Sequence, residues 1–564
     1  MIVRFNVLCS VYILIVSIRS PSLASSYPAY TSIIQTLDGP IVGIVKNIGG
    51  TDLNFFLGIP YAKPPIDDLR LKLPEPVDKW TEILEATELA PRCMQPSITL
   101  QYIRQPMSED CLYLNIITPK GAKKGSKYPV MISILHLDHT EGSGNDEIYL
   151  KAELTKKDDG IGGNMGLWDE NFAIRWVKNN IEYFGGNPNM ITLRGQGSGA
   201  DNVRAHVLSP YTRGLFQNAI VEGQGFVALG ENRLERLLHS SDIILDRIGC
   251  SSTKNRLKCV QDVDANDIVI ALPKRLYAFG PFYDSNYFSL GKSDEDVISK
   301  ANDVNLLMGF ESEYSSRNLA MRIPEIYAKE TLSYEDGIKA LEFFVYPSKA
   351  EKIAKIFIGH PNKPKKTKEI QNGLVRFANQ LVPCLLYYQA SLTAEASNLK
   401  KGVYTYEYNH LTQSNDYQLC DVQRELGVCY RAAQSSIFGQ PYSNYWYHTD
   451  EDRRMSDIMM DIYTFFMRTG AKLPSGKEWP NWNDPKSKEP NVATVILDAK
   501  NGGIIDEYNP QFCLDNIDLV NSSLITKYYP FDRYELDIQR KVDRRSDYRN
   551  NLYPAIQTLY FVDY

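Results

Sequence analysis

Apolar residues recur along this chain at two different spacings. Ile41-Val42-Gly43-Ile44-Val45 and Leu53 to Gly58 are short apolar runs that read as strands. Tyr128 to Leu135 is nearly continuous and β-branched, as in a strand buried on both faces. From Leu167 to Phe184 the spacing turns helical, with Phe172, Ile174, Trp176, Val177 and Ile181 on one side. Gly185-Gly186-Asn187-Pro188 stops that helix. Met190 to Arg194 is then a short strand, followed by a Gly-rich turn and another helix, and Leu215 to Glu222 is strand-like again. Strands alternating with helices predict an α/β fold with a mostly parallel central sheet flanked by helices. Neither an internal repeat nor a long low-complexity linker interrupts the pattern.

The two ends differ from this body. Arg4 precedes an apolar stretch, Val7 to Ile18, too short to cross a bilayer, and Ser22-Leu23-Ala24 resembles a small-residue cleavage site. Residues 1–24 are therefore expected to be a secretory signal, residues 25–530 the folded domain and residues 531–564 a charged tail. No later segment is long and apolar enough to span a membrane, so the expected location is extracellular. Lys and Arg number 62 against 68 Asp and Glu, a balance that excludes the basic field of a nucleic-acid protein. Cys9 lies in the signal, which leaves Cys93, Cys111, Cys250, Cys259, Cys384, Cys420, Cys429 and Cys513. An even number in a secreted chain predicts disulfides. No C-x-x-C pair occurs, and His136 with His139 are too few ligands for a metal site, so no cofactor is expected. Asn521-Ser522-Ser523 is a glycosylation sequon. Lys363 to Lys368, and Arg540-Lys541 with Arg544-Arg545, are small basic runs that read as solvated surface.

Several longer motifs point to one family. Phe56-Leu57-Gly58-Ile59-Pro60-Tyr61-Ala62-Lys63-Pro64-Pro65 with Leu69-Arg70 resembles the entry signature of type-B carboxylesterases and cholinesterases. Ser108-Glu109-Asp110-Cys111-Leu112-Tyr113-Leu114-Asn115 is similar to a second signature. Phe184 to Pro188 with Ile191-Thr192-Leu193 resembles the approach to the nucleophile, and Ser209-Pro210 with Gly214-Leu215-Phe216 the segment beyond it. The resemblance runs from about residue 30 to about residue 525 and implies an α/β-hydrolase fold. It also implies the pairs Cys93–Cys111, Cys250–Cys259 and Cys384–Cys513, leaving Cys420 and Cys429 free to pair with each other.

The same resemblance shows where the chemistry departs. An α/β-hydrolase carries its nucleophile in a G-x-S-x-G elbow. Here the segment is Gly195-Gln196-Gly197-Ser198-Gly199, with Gly197 at the nucleophile position and Ser198 one step into the helix. A glycine adopts the unfavourable φ of an elbow without steric cost. In Gly427-Val428-Cys429-Tyr430-Arg431, Tyr430 stands at the family's His position, and a phenol of ordinary pKa near 10 is a poor base. His410 and His448 match no triad position and are expected to be structural or on the surface. Glu313 is the better match to the acid, with Glu311 as fallback. Leu137 and Asp138 replace the glycines of the oxyanion loop, where a carboxylate would repel an oxyanion. The segment from Asp146 to Asn164 is shorter than in the family and would omit a strand beside Tyr128–Leu135, unless Glu147–Leu154 stands in or the sequence comes from a shortened transcript.

Together these imply a secreted, catalytically inactive relative of the neuroligin, neurotactin, gliotactin and glutactin branch. It would act in extracellular recognition or adhesion through an extracellular protein partner, with a surface large enough for self-association as a homodimer. Two alternatives stand beside this reading. One is a carrier of an apolar ligand in the former gorge. The other is an atypical hydrolase using Ser198, since Gln196 resembles the G-Q-S-A-G elbow of juvenile-hormone esterases.

Overall fold

The fold is that of a computed structural model. It describes residues 29–508 except 49, 97–105, 136–163, 224–230, 273–279, 282–286, 289–296, 313–322, 324–325, 327–328, 343–346, 364–365, 396–399, 413–427, 429–431, 444–447, 471–477, 483–491 and 500–503. The expected signal, the tail and the Glu147–Leu154 segment lie outside these residues.

Two small sheets open the chain. One joins β1 (Ala29–Tyr30), β4 (Ile44–Ile48), β5 (Thr51–Pro60) and β7 (Tyr113–Pro119); the other joins β2 (Ile34–Gln35), β3 (Pro40–Val42) and β6 (Leu84–Glu85). The single apolar run Ile41–Val45 is thus split at Gly43 between two sheets. Its first half pairs with β2 and β6 and its second with β1 and β5. A pattern of apolar residues records burial, and does not record which partner strand supplies it.

The central sheet has seven strands: β8 (Tyr128–Leu135), β9 (Gly186–Gln196), β10 (Asn218–Glu222), β11 (Asn305–Glu311), β12 (Val403–Tyr408), β13 (Val492–Leu497) and β14 (Ile504–Tyr508), side by side in that order. All neighbours are parallel except β14, which runs antiparallel to β13. Among the described residues β8 ends the sheet, with β9 as its one partner. The helices are α1 (Met165–Asn180), α2 (Ser198–Leu208), α3 (Glu231–Arg247), α4 (Arg256–Asp262), α5 (Ala265–Ala271), α6 (Tyr334–Leu341), α7 (Pro347–Phe357), α8 (Thr367–Glu395), α9 (Ala432–Ile437), α10 (Gln440–Ser443) and α11 (Asp450–Thr469). This is the mostly parallel, helix-flanked sheet that the spacing predicts. The strand predicted at Met190–Arg194 extends back to Gly186, because Tyr128 of β8 already pairs there.

Side chains alternate across the sheet, so each strand serves two cores. Leu193, Ala219, Val221, Leu306, Met308 and Phe310 face α1, α2 and α8. Ile220, Leu307, Tyr406, Tyr408, Val495 and Leu497 face the opposite way, onto Met455, Met459, Ile462 and Phe466 of α11. Helix α11 starts sharply because Thr449 and Asp452 cap each other's backbone N–H groups in a capping box.

Two expected disulfides form, Cys93–Cys111 and Cys250–Cys259. Cys384 is also disulfide-bonded; Cys513, Cys420 and Cys429 lie outside the described residues. Arg70 ties the two closed loops together. Its guanidinium donates to both carboxylate oxygens of Glu109, each at 2.6 Å, and to the carbonyls of Val260, Gln261 and Val263. Gln261 returns two bonds to the carbonyls of Asp68 and Arg70. Both members of the ion pair are largely shielded, so screening by water is reduced.

Arg70→Ala leaves Glu109 and three carbonyls without their donor. It is expected to destabilise the chain by about 3 kcal/mol, with Arg70→Lys recovering only part because the fork geometry is lost. The denaturant midpoints of the parent chain and the two variants check this. A midpoint for Arg70→Ala equal to that of the parent chain would refute it.

Candidate functional site

The elbow expected from the sequence is present as a shape. Strand β9 ends at Gln196, Gly197 turns, and α2 begins at Ser198. Gly197 has φ 58° and ψ −125°, a region open essentially to glycine, so the strained elbow is built without strain. The helix folds back so closely that a Cβ on Gly195 would lie 2.2 Å from the Gly199 carbonyl. The Gly197 N–H donates to the Glu222 carbonyl at 2.9 Å, which fixes the turn to the next strand. No hydroxyl is carried at position 197. Ser198 is the first helical residue, 8% exposed, and its hydroxyl forms no hydrogen bond.

Of the other predicted positions, Tyr430, Glu313, Leu137, Asp138 and Asn521 lie outside the described residues. Glu311, the fallback acid, is the last residue of β11, is buried, and accepts from the Gln196 amide at 3.1 Å. His410 and His448 are both buried on either side of Asp452. His410 Nε2 is 2.8 Å from Asp452 Oδ1 and His448 Nδ1 3.9 Å from Oδ2. Burial alone would raise the Asp452 carboxyl, but His410 and the Thr449 N–H and hydroxyl overcome this and hold it well below the usual carboxylate range. Both histidines are thus structural rather than surface residues.

The dominant polar feature beneath the elbow is one the sequence reading did not single out. Arg194 on β9 and Glu222 on β10 are both fully buried and form an ion pair. Glu222 Oε1 also accepts from the hydroxyls of Tyr406, at 2.8 Å, and of Tyr463 on α11. Phe438 closes the other side, its ring centroid 5.1 Å from the guanidinium carbon. Tyr406 belongs to β12 and reaches Glu222 by lying across β11. That path is open only because position 309 is glycine, where a Cβ would sit 2.1 Å from the Tyr406 ring. Burial and the Glu222 charge push both phenols well above their ordinary range. Burial would lower Arg194, but Glu222 and the two tyrosines more than offset it, so the guanidinium stays charged. A signal existed in the sequence: opposite charges inside two strands that otherwise read as fully buried.

These side chains bind one another, and among the described residues no Ser–His–acid arrangement meets at the elbow. No group of three potential metal ligands occurs among the described residues either. A model of the carboxylesterase family matches residues 30–161 and 154–512 of the chain. The chain is similar to an acetylcholinesterase of Leptinotarsa decemlineata, 24% identical over 82% of each chain. It is similar to carboxylesterase 1D of Rattus norvegicus, 26% identical over 83% of this chain and 90% of the relative. A cocaine esterase of Oryctolagus cuniculus is 35% identical over a shorter stretch, 42% of this chain and 48% of the relative.

The Asp452 carboxyl titrates lower in the folded chain than in the unfolded one, so its contribution to stability is present above the ordinary carboxylate range. It is lost as pH falls through the folded value. Asp452→Asn is therefore expected to unfold at lower denaturant than the parent at about pH 6, with the gap narrowing from about pH 4 down to about pH 2. A gap that stays constant across that window would show that His410 and Thr449 do not depend on the carboxylate charge.

Proposed function

The chain belongs to the carboxylesterase family, and from that membership we propose a secreted member that no longer hydrolyses esters and works by binding an extracellular protein. The observation that carries this reading is Gly197 at the point of the elbow, where the turn is kept and the attacking hydroxyl is not. Acyl transfer needs a nucleophile, a base to take its proton and donors for the oxyanion. On the sequence the base position holds Tyr430 and the oxyanion loop holds Leu137 and Asp138. Ser198 does not replace the nucleophile, because it is a buried helix residue one step beyond the turn. The relatives named as esterases set the expectation of activity, and these replacements support the reading that it is lost here.

Two observations support secretion: an apolar stretch behind Arg4 and disulfides of the kind kept in oxidising compartments. Among the described residues no helix is long and apolar enough to cross a membrane. A fold kept rigid by disulfides offers a preformed surface, and a specific contact needs about 800 Å² per partner. The resemblance to neuroligin-like and glutactin-like proteins makes recognition or adhesion the use proposed for that surface, with Asn521 as a proposed glycan site.

The mature chain is expected to be inert toward short-chain aryl esters and unlabelled by an organophosphate. Loss of triad members alone leaves ~10³–10⁴-fold catalysis when the oxyanion donors survive, so a sensitive assay is needed. Gly197→Ser is expected to stay inert as well, since no histidine replaces Tyr430. Stoichiometric labelling of Ser198, or turnover by Gly197→Ser at an ordinary esterase rate, would sink the loss of chemistry. Binding is tested separately, by capture from extracellular extract on the tagged mature chain. A reproducible protein partner is expected, and repeated captures without one would overturn the recognition reading.

A further inference from the structure

The outer face of α11 carries an exposed strip of unusual composition. Asp457, Asp461 and Phe465 follow one another at steps of four residues and so line one side of the helix over about 12 Å. Tyr442 of α10 joins the strip at its start, donating to Asp457 Oδ1 at 2.7 Å. Phe438 comes from the turn between α9 and α10, next to Gly439, which faces Met460 of α11. Three large aromatics here are open to solvent: Phe438 at 41%, Tyr442 at 45% and Phe465 at 43%. The nearby cations are already used, Arg453 by Asp450 and Arg454 by Glu451. Among the described residues the Asp461 carboxylate forms no ion pair. Exposed rings beside carboxylates are a surface made for arginine, whose flat guanidinium stacks on a ring while donating to an acid.

The chain itself contains a matching segment. Arg540, Lys541, Arg544, Arg545 and Arg549 stand against only Asp543 and Asp547 in the stretch from 540 to 549. The described structure ends at Tyr508 in β14, five strands from β9, on which α11 packs, a distance of roughly 24 Å. The 31 residues between Tyr508 and Arg540 can span up to about 100 Å, so reach does not limit the contact. A tethered segment has an effective concentration of about 1 mM, so even a contact with a millimolar dissociation constant is half occupied in cis.

We propose that the basic run Arg540–Arg549 of the C-terminal tail docks on the α10–α11 strip of its own chain, with its arginines over Phe438, Tyr442 and Phe465 and against Asp457 and Asp461. The contact covers an apolar surface of the folded domain and makes its exposure depend on the tail and on ionic strength. This inference does not depend on the loss of catalysis, and an active esterase could carry the same strap.

A zero-length carbodiimide, which joins a carboxylate to a lysine amine, reads the contact in the full mature chain. The expected product is Lys541 joined to Asp457 or Asp461 in the monomer fraction, lost in about 1 M salt, where screening acts within about 3 Å. Arg544→Glu with Arg545→Glu leaves both reacting groups and the folded domain untouched, and is expected to lower the yield by about fivefold or more. Mixing isotopically light and heavy chains tells cis from trans. A product that joins a light to a heavy chain in about half of its molecules, as random pairing in a one-to-one mixture requires, would make a second copy the occupant and overturn the strap. Lys541 joined elsewhere, no product at Asp457 or Asp461, or an unchanged yield in the double variant would overturn it too.

Discussion

Arg194 and Glu222 carry opposite charges on neighbouring strands, out of reach of water, and the surrounding structure is arranged around their pairing and the hydroxyls that Glu222 accepts. Taking two ions out of water costs several kcal/mol each, and only close pairing with further hydrogen bonds offsets it. Glu222 therefore draws in the hydroxyls of Tyr406 and Tyr463 as well as the guanidinium. Tyr406 can respond only by crossing β11 at Gly309, and Tyr463 only if α11 lies over the sheet at one height and rotation. One pair of charges thus sets the position of four strands and the long helix that covers them. The same Glu222 holds the elbow through its backbone carbonyl, so the turn at Gly197 inherits its placement from the network beneath it.

That dependence accounts for an elbow that survives without its hydroxyl. An elbow residue in an L-amino-acid chain stores strain, and strain persists only where the surroundings over-determine the backbone. Here the surroundings still do so: the Gly195–Gly199 approach and the bond to Glu222 remain. Glycine at 197 holds this shape without strain, which on the proposed reading exchanges a reactive group for stability. The polar residues around the strand ends are likewise engaged in holding elements together. Gln196 meets Glu311, Tyr408 meets Ser436, and His410 meets Asp452.

Much of this was legible in the chain. The run Tyr128–Leu135 coincides with β8 because a strand buried on both faces needs apolar residues at every position. The elbow was legible through the resemblance of Gly195-Gln196-Gly197-Ser198-Gly199 to the family's G-x-S-x-G turn, and Gly195 answers to the close approach of the Gly199 carbonyl. The pairs Cys93–Cys111 and Cys250–Cys259 came from a resemblance, since spacing alone does not fix connectivity. The division of Ile41–Val45 between two sheets was not legible, because partner strands are set by contacts distant in sequence. Nor was the Arg194–Glu222 pair, whose members are 28 positions apart, although a charge in a buried strand calls for a partner somewhere. His410 carried no local signal of its meeting with Asp452, 42 positions on, although His448 stands four residues before that carboxylate.

On the proposed reading, loss of chemistry also changes which constraints act on the surface. In a hydrolase the strand ends must stay open to substrate, and the helices behind them need only be soluble. On the proposed reading the strand ends carry no such demand, and the outer faces decide what the protein contacts. An aromatic strip left bare in an extracellular fluid invites non-specific association, in proportion to its apolar area. Charge on the strip limits this in two ways. Asp457 and Asp461 repel other acidic surfaces, and they select an arginine-bearing segment over a purely apolar one. An acidic aromatic face is therefore more discriminating than an apolar face of equal area, and a chain with a net charge of −6 is itself among the surfaces it rejects, except where its own basic tail is concerned.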